Sequence, residues 1–291
     1  MSTSAFVGFV DDAAVFPPGN APLSRAVEAH RQHRAAWYAD VVGPFLCSDA
    51  RLPELHRLVE RADAGAEITL GIVVRGGAGA VQPALAWAQR RTDLRAVTVE
   101  VALRDEPQLA RNARRVTTVL DDCPEDLTAY VEMPRPVDPR APSAGWLEAL
   151  DEIAAAGHRA KYRTGGPTMD DHPGEHELAA FVAACLDREI AFKCTAGLHH
   201  AIRNTAPRSG FEQHGYLNVL LATRASLDGG SLDDVADVLA RRDAGEVATA
   251  IRKLGETTLT ATRRWFTSFG SCSVSEPVDD LLDLGLLERK Q

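Results

Sequence analysis

Two kinds of segment alternate along the whole chain: short apolar runs rich in β-branched residues, and longer stretches in which apolar residues recur every three or four positions. The first pattern is typical of buried strands and the second of amphipathic helices. Strands are predicted at residues 5–10, 40–46, 68–74, 96–103, 127–134, 159–165, 191–197 and 264–271. Helices are predicted at residues 22–36, 50–63, 81–91, 107–120, 145–157, 175–189, 212–226, 231–241, 244–257 and 277–288.

This alternation determines the expected fold. Strands separated by helices lie parallel in one sheet, and eight of them in 291 residues predict a closed (β/α)8 barrel of the TIM type. An open, doubly wound α/β sheet is the alternative. No glycine-rich nucleotide-binding motif follows the first strand and no long linker divides the chain. Residues 1–291 are therefore expected to form a single barrel domain, with extra helices in about 200–260.

Charged residues interrupt four consecutive predicted strands. Because side chains alternate between the two faces of a strand, one face of each strand carries a charge near its C-terminal end: Glu100, Glu132, Lys161 with Arg163, and Lys193. A barrel interior is normally apolar, and an isolated buried charge is costly. Active sites of such barrels lie at the C-terminal ends of the strands, so we favour an active site. Outward-facing lysines and a purely structural ion-pair network remain alternatives.

Two lysines side by side indicate a particular chemistry. A lysine that is partly buried and crowded by a second cation has a lowered pKa, so some of it is neutral amine near neutral pH. A neutral amine attacks a carbonyl carbon to form a Schiff base, which draws in electrons when an adjacent C–C bond breaks. We predict that one of Lys161 and Lys193 is the nucleophile and the other lowers its pKa, and that Arg163 is the ligand of an anionic substrate group. Glu132 or Glu100 is expected to move protons.

The two lysines lie in the strings KYRTGG and KCTAG, each at the end of a predicted strand. These strings resemble class I aldolases of the deoxyribose-phosphate aldolase type. In that family a KxSTG-like strand end supplies the Schiff-base lysine, and a Kx(S/T)GG-like end of the next strand supplies the lysine that perturbs it. The resemblance implies these two roles for Lys161 and Lys193. The chain departs from the pattern in two places. Arg163 is inserted after the first lysine, and His199-His200 follow the second lysine.

Three histidines come soon after the seventh predicted strand: His199, His200 and His214. An imidazole near the lysines can act as a general acid or base, and we expect His199 or His200 to do so and His214 to contact the substrate. The same three histidines with Glu132 are also a candidate set of ligands for a divalent metal ion. In that alternative the protein is a metal-dependent lyase or hydrolase.

Five further residues are candidate substrate ligands. Asp12 closes the first predicted strand, and Thr195 shares a face with Lys193. Gly270, Ser271 and Ser273 follow the last strand, where a backbone nest for phosphate or carboxylate is often found in barrels. A serine-rich segment at the N-terminus of a helix would have the same sequence, and this is the alternative interpretation.

Composition limits the classes of function. A formal net charge of −9 and a pI near 5.5 argue against a nucleic-acid surface. No apolar run reaches 18 residues, and the first residues lack the pattern of a signal peptide, so we expect neither a membrane partner nor secretion. The five cysteines are widely spaced, which favours reduced thiols and a cytoplasmic location.

The predicted function is that of a lyase of the aldolase type. It would make or break a C–C bond in a small anionic carbonyl compound through a lysine Schiff base, without a cofactor. A non-catalytic barrel that binds an anion is the second alternative. The sequence leaves a homo-oligomer open.

Overall fold

The computed structural model describes residues 3–61, 67–104 and 107–289. Its main feature is a barrel of eight parallel strands. The strands are β1 (Val10–Asp12), β2 (Val42–Ser48), β3 (Ile68–Val74), β4 (Leu94–Ala102), β5 (Thr128–Glu132), β6 (Arg159–Arg163), β7 (Phe192–Thr195) and β8 (Phe266–Ser271).

The barrel is closed by its first and last strands. β1 pairs in parallel with β8 through Val10 and Phe269, and with β2 through Val10 and Val42. The other neighbours follow in chain order from β2 to β8, all parallel. The predicted (β/α)8 fold is confirmed, and the open doubly wound sheet is excluded because that sheet would have two free edges.

Helices surround the barrel. They are α1 (Leu23–Ala35), α2 (Leu52–Arg61), α3 (Val81–Ala88), α4 (Leu109–Leu120), α5 (Ala144–Ala155), α6 (Glu175–Leu186), α7 (Tyr216–Leu227), α8 (Leu232–Ala240), α9 (Ala244–Arg263) and α10 (Ser275–Asp283). Three of them, α7 to α9, lie between β7 and β8. No helix in the described parts of the chain is long and apolar enough to cross a membrane.

The first strand is shorter and later than predicted. The prediction placed it at residues 5–10, but Thr3–Phe6 form a 3-10 helix and β1 begins only at Val10. Gly8 turns the chain with a φ of 58°, and the rings of Phe6 and Phe9 stack in the core. The apolar run therefore reflects buried aromatic side chains rather than strand pairing, and Asp11 and Asp12 become strand residues.

Several helix predictions also differ from the structure at their ends. The helix predicted at 81–91 is observed at Val81–Ala88, and the one predicted at 277–288 is observed at Ser275–Asp283. The helix predicted at 212–226 begins at Tyr216, because Glu212–Gln213 pair with Asn204–Thr205 in a short antiparallel hairpin. The helix predicted at 244–257 continues to Arg263, with a break at Gly255, whose φ of 69° is not helical. Residues 62 and 63, at the end of the helix predicted at 50–63, lie outside the described residues.

The two faces of β6 show how the strands position the site. Tyr162 points outward and stacks on Phe181 of α6, with ring centroids 4.3 Å apart. Its neighbour Lys161 points into the barrel, where its side chain is only 3 % exposed. The inward direction predicted for this lysine from the two-residue period of the strand is confirmed.

Candidate active site

Five barrel strands contribute charged side chains that touch one another inside the barrel, and we call this set the ion-pair chain. Its members, in order of contact, are Asp11, Lys193, Glu100, Lys161, Glu132 and Arg163. Carboxylates alternate with cations, so the formal charges cancel. This alternation offsets the cost of placing each charge in the interior. The ion-pair chain begins with Asp11 in the closed core and ends with Arg163 at the mouth, which is formed by the C-terminal ends of the strands.

The inner half of the ion-pair chain is centred on Lys193. Its Nζ lies 2.5 Å from Glu100 Oε1 and also donates to Asp11 Oδ2. Ser268 Oγ donates to the same Asp11 oxygen at 2.9 Å, and the ring of Tyr130 lies 5.2 Å from the ammonium nitrogen. The Lys193 side chain is 0 % exposed. It is therefore enclosed on all sides and cannot meet a molecule that enters the barrel.

The outer half is centred on Lys161. Its Nζ lies 2.6 Å from Glu100 Oε2 and 2.8 Å from Glu132 Oε2. Arg163 Nε donates to the other oxygen of Glu132 at 3.2 Å. Exposure rises along this half, from 3 % at Lys161 to 14 % at Glu132 and 46 % at Arg163. Lys161 is thus the amine of the ion-pair chain that lies nearest the mouth.

Strand register explains why these side chains meet. Lys161 is the Cα partner of Glu132 on one side and of Lys193 on the other, so all three share one level and one face. Asp11 reaches the same level because β2 carries Gly43, where a Cβ would collide with the Asp11 carboxylate. A larger residue at position 43 would displace Asp11 from Lys193.

Opposite charges control the protonation of the inner half. Burial acts against the charged forms, but Asp11 and Glu100 hold the pKa of Lys193 well above its usual range. Burial likewise raises the pKa of Glu100, yet Lys161 and Lys193 together lower it to about 2. Both groups are therefore charged near neutral pH.

The pKa of Lys161 moves in the direction opposite to the prediction. Burial and the nearby charge of Lys193 do lower it, as expected from two adjacent lysines. Glu100 and Glu132 raise it by more, so the net pKa lies above the usual value for lysine. The prediction of a neutral amine from lysine crowding is wrong for this arrangement, because a carboxylate lies between the two ammonium groups. A proton must leave Lys161 before it can act as a nucleophile.

Glu132 is suited to receive that proton. Burial raises its pKa, but Lys161 and then Arg163 lower it, so it is held as a carboxylate against the Lys161 ammonium. Among the three carboxylates of the ion-pair chain, Glu132 is also the one that reaches the mouth. If Arg163 were drawn away by another anion, the basicity of Glu132 would increase.

Asp12 does not face the site. Its Oδ2 lies 3.0 Å from Nδ1 of His30, a buried residue of α1, and its Oδ1 accepts from the Ala14 backbone at 3.1 Å. The substrate-binding role predicted for Asp12 is therefore wrong, and Asp11, one residue earlier, is the aspartate that faces inward. The prediction failed because β1 has only three residues, too few to show which face is which.

The three predicted histidines do not converge. His199 lies 3.2 Å from Glu276, His200 lies 3.2 Å from Asp280, and both carboxylates belong to α10. His214 is buried elsewhere, 2.8 Å from the Pro173 carbonyl oxygen. None of them contacts the lysines. Within residues 3–61, 67–104 and 107–289 no three His, Cys, Asp or Glu side chains are arranged as a metal site, so the alternative set with Glu132 is not assembled.

The loop after β8 is engaged in starting α10. Ser271 Oγ donates to the Ser273 carbonyl at 2.7 Å, and Ser273 Oγ accepts from the Glu276 backbone at 3.3 Å. The hydroxyl groups of these two serines therefore act in the turn and at the start of the helix, and the predicted backbone nest for an anion stays a prediction. Gly270 and Thr195 are neighbours across β8 and β7, and both lie beside the mouth as predicted.

Sequence reasoning missed three side chains around Lys193: Asp11, Tyr130 and Ser268. Tyr130 shares a strand face with Glu132, which was a usable signal. Ser268 shares a face with Gly270 in the same way. Asp11 is adjacent to Asp12 in the sequence, and a strand of three residues does not show which of the two faces inward.

No family model matches the chain, and a comparison with curated protein sequences finds no similar protein. The function must therefore be argued from the geometry of the ion-pair chain.

Proposed function

We propose that the protein is a lyase of the aldolase type, which makes or breaks a C–C bond in a small anionic carbonyl compound through a Schiff base on Lys161. The observation that carries this proposal is the position of Lys161 between a fully buried carboxylate and one at the mouth. Lys193 is enclosed, so its part is to hold Glu100 charged and in place. Structural ion pairs would not require an amine so close to the mouth, with an exposed arginine beside it.

The substrate itself would trigger the loss of the Lys161 proton. An anionic group that binds the exposed side of Arg163 competes with Glu132 for that cation. Glu132 then becomes more basic and takes the proton from Lys161 Nζ, 2.8 Å away. The positive charge of Lys193 favours this step because it disfavours the charged form of Lys161.

The remaining steps use the same groups. Neutral Lys161 attacks the carbonyl carbon, water leaves, and a protonated imine forms. The proton on Glu132 is used to release that water. Cleavage of the C–C bond one carbon beyond the imine carbon then sends its electron pair into the imine, while Glu132 takes the hydroxyl proton of the departing carbonyl fragment. Glu132 then returns this proton to the resulting enamine carbon. Glu100 keeps its charge throughout and stabilises the iminium. Water then releases the product and restores the amine.

Two more cations lie near the mouth and support an anionic substrate. Arg75 follows β3 and Arg104 follows β4, and both are exposed. In the strand register Ala102 of β4 pairs with Glu132 of β5, and Glu132 pairs with Lys161 of β6. Arg104 comes two residues after Ala102, and Arg163 comes two residues after Lys161. The two arginines therefore lie at the same level, with β5 between them. A substrate with one or two negative groups would meet positive charge before it reaches Lys161.

The experiment follows proton exchange in D2O, because it needs no knowledge of the second substrate. Pyruvate, acetaldehyde and hydroxyacetone would be incubated with the protein, and loss of the protons next to the carbonyl followed by NMR. We expect exchange of at least one compound, its loss in Lys161→Arg, and a reduction of about 100-fold in Glu132→Gln. Glu152→Gln, in a surface ion pair with Arg114, is the matched control and should exchange normally.

The raised pKa of Lys161 favours one other function, a barrel that binds an anion without reaction. In that case Lys161 stays an ammonium ion and pairs with the ligand. Such a protein would bind a small acid tightly, show no exchange with any carbonyl compound, and lose binding in Lys161→Met but retain it in Lys161→Arg. Exchange that survives Lys161→Arg would contradict the proposed lyase.

We also propose a cytoplasmic location, which rests on the five widely spaced cysteines, all of them free in the structure. The partner that we expect in the cytoplasm is the substrate, a small anionic carbonyl compound.

A further inference from the structure

A second reactive group lies at the mouth of the barrel, apart from the ion-pair chain. Cys272 directly follows β8 and is partly buried. The loop after β1 lies against it, since a Cβ on Gly19 would be 2.9 Å from the Cys272 Cβ and 3.0 Å from the Ala14 carbonyl oxygen. Position 19 thus requires glycine for the loop to reach the cysteine.

The cysteine has an imidazole neighbour, and the imidazole has a carboxylate neighbour. Cys272 Sγ lies 3.7 Å from His199 Nδ1 and 3.8 Å from His199 Nε2. Glu276 Oε2 lies 3.2 Å from Nδ1. The sulfur is nearly equidistant from the two ring nitrogens, so the Cys272 side chain must turn to bring the thiol proton to Nε2. Nε2 is an acceptor when the proton on Nδ1 is donated to Glu276. The three residues therefore have the order nucleophile, base and orienting group.

We propose that Cys272 is a second nucleophile of this protein, with His199 as its general base and Glu276 as the residue that positions the base. It would add to a small carbonyl electrophile that enters the barrel. The sulfur–carbon bond forms, the carbonyl π bond opens, and the thiol proton passes through His199 to the carbonyl oxygen. The product is a hemithioacetal, and no oxidant is needed. The choice of a carbonyl ligand rests on the proposed function, whereas the reactivity of the thiol does not.

Burial makes the base necessary. Burial, and then the charge of Glu276, raise the pKa of the Cys272 thiol to about 11, against a smaller opposite effect of the Gly19 backbone N–H. Burial also lowers the pKa of His199, although Glu276 opposes this. Both groups are therefore uncharged near neutral pH, and attack by sulfur must be accompanied by proton transfer to the imidazole.

Other charged groups near this pair are few in the described residues. Glu276 and the more distant Asp12 act on the thiol, and Glu276 and His200 act on the imidazole. The two acids disfavour a free thiolate, and His200 disfavours a charged His199. Asp12 and His200 therefore favour the neutral pair, whereas Glu276 disfavours the thiolate but favours a charged imidazole.

The test is alkylation of the intact protein with iodoacetamide, with each cysteine followed by peptide mass spectrometry. Cys123 is the internal control because it is also partly buried, but the hydrogen-bond acceptor of its Sγ is the Val119 carbonyl oxygen, at 3.8 Å, rather than an imidazole. We expect Cys272 to react about tenfold faster than Cys123 at neutral pH, and His199→Gln to remove that advantage. Glu276→Gln, at a half-exposed position, should slow Cys272 about threefold.

The pH profile separates a base from a merely structural neighbour. In the unmodified protein the rate at Cys272 should level off near neutral pH, where His199 is uncharged. In His199→Gln it should rise continuously toward the thiol pKa of about 11. Acetaldehyde should slow alkylation of Cys272 but not of Cys123.

Three results would overturn the proposal. The first is equal reactivity of Cys272 and Cys123. The second is an unchanged rate and pH profile in both His199→Gln and Glu276→Gln, with thermal unfolding used to show that the variants fold. The third is absence of protection by acetaldehyde, which would show that Cys272 does not bind a carbonyl compound. None of these depends on an imine at Lys161, so failure here and failure of the proposed lyase can be told apart.

Discussion

Lys193 lies in the interior of the barrel, where a valine or isoleucine is usual. Its charge is stable there because Asp11 and Glu100 both contact its ammonium group. Removing one partner of a buried pair leaves the others without compensation, which costs more than the pair itself contributes. Lys193 is therefore expected to matter for stability, although it does not touch the substrate.

This expectation is tested by Lys193→Met, which keeps most of the volume and removes the charge. We predict a loss of about 3–5 kcal/mol in the free energy of unfolding, measured in urea. Lys253→Met, on the exposed side of α9, is the control and should change stability by less than about 0.5 kcal/mol. Adding Asp11→Asn to Lys193→Met should restore part of the loss, since it removes one unpaired carboxylate. A buried-site variant as stable as the control would show that the ion pairs are not formed.

At the residue scale the sequence predicted which side chains face inward where a strand is long enough. The two-residue period placed Glu100, Glu132, Lys161 and Lys193 on the inward faces of their strands. Glu100, Lys161 and Lys193 are buried there, and Glu132 is partly exposed at the mouth. It did not predict that Glu100 would lie between the two ammonium groups. That contact depends on the relative level of β4 and β6 around the barrel, which no local pattern encodes.

Among the elements, the connections after the strands differ most from expectation. His214 belongs to the connection between β7 and α7, and it ties this segment to the segment before α6. Its Nε2 donates to the Pro173 carbonyl oxygen at 2.8 Å, and Arg203 donates to its Nδ1 at 3.2 Å. The contact with Arg203 needs a neutral ring, because a protonated Nδ1 cannot accept a hydrogen bond. Burial, and then Arg203, lower the pKa of His214 to about 4.

This shift makes stability depend on pH in a defined direction. In the unfolded chain a histidine binds its proton near pH 6.5, whereas His214 in the fold stays neutral down to about pH 4. Its contribution is therefore complete above the unfolded pKa and is lost as the pH falls. Between pH 7 and 5 we predict a decrease of about 2 kcal/mol in the free energy of unfolding from this group.

Urea unfolding at the two pH values, compared between the natural chain and His214→Gln, isolates that contribution from the other histidines. The glutamine can still meet Arg203 and Pro173 but does not titrate. We expect the variant to show a pH dependence smaller by about 2 kcal/mol. An equal pH dependence in both proteins would contradict the neutral, buried state of His214.

The histidines also show why the loops could not be predicted. Their spacing in the sequence allowed them to converge on the lysines or on a metal ion. Their contacts are instead decided by α10, whose Glu276 and Asp280 hold His199 and His200 more than seventy residues away in the chain. A pairing between segments so distant in sequence leaves no periodic signal.

On the scale of the whole molecule, closure of the barrel is what assembles the site. Asp11 comes from the first strand and Lys193 from the seventh, and they meet because β8 joins β1 to β7. An open sheet built from the same strands would leave β1 at an edge. Strand and helix alternation predicted the barrel, and the closure of the barrel then accounts for the buried ion pair between Asp11 and Lys193.

The central claim is that Lys161 reacts as an amine, and borohydride trapping tests it most directly. The protein would be treated with sodium borohydride in the presence of pyruvate, acetaldehyde or hydroxyacetone, and the site of the reduced adduct mapped by mass spectrometry. We predict one adduct on Lys161, none on Lys193 or on the exposed Lys253, and no adduct at that position in Lys161→Arg. Absence of any adduct, or an adduct on Lys253 at the same yield, would contradict the Schiff-base function and leave an anion-binding barrel as the better description.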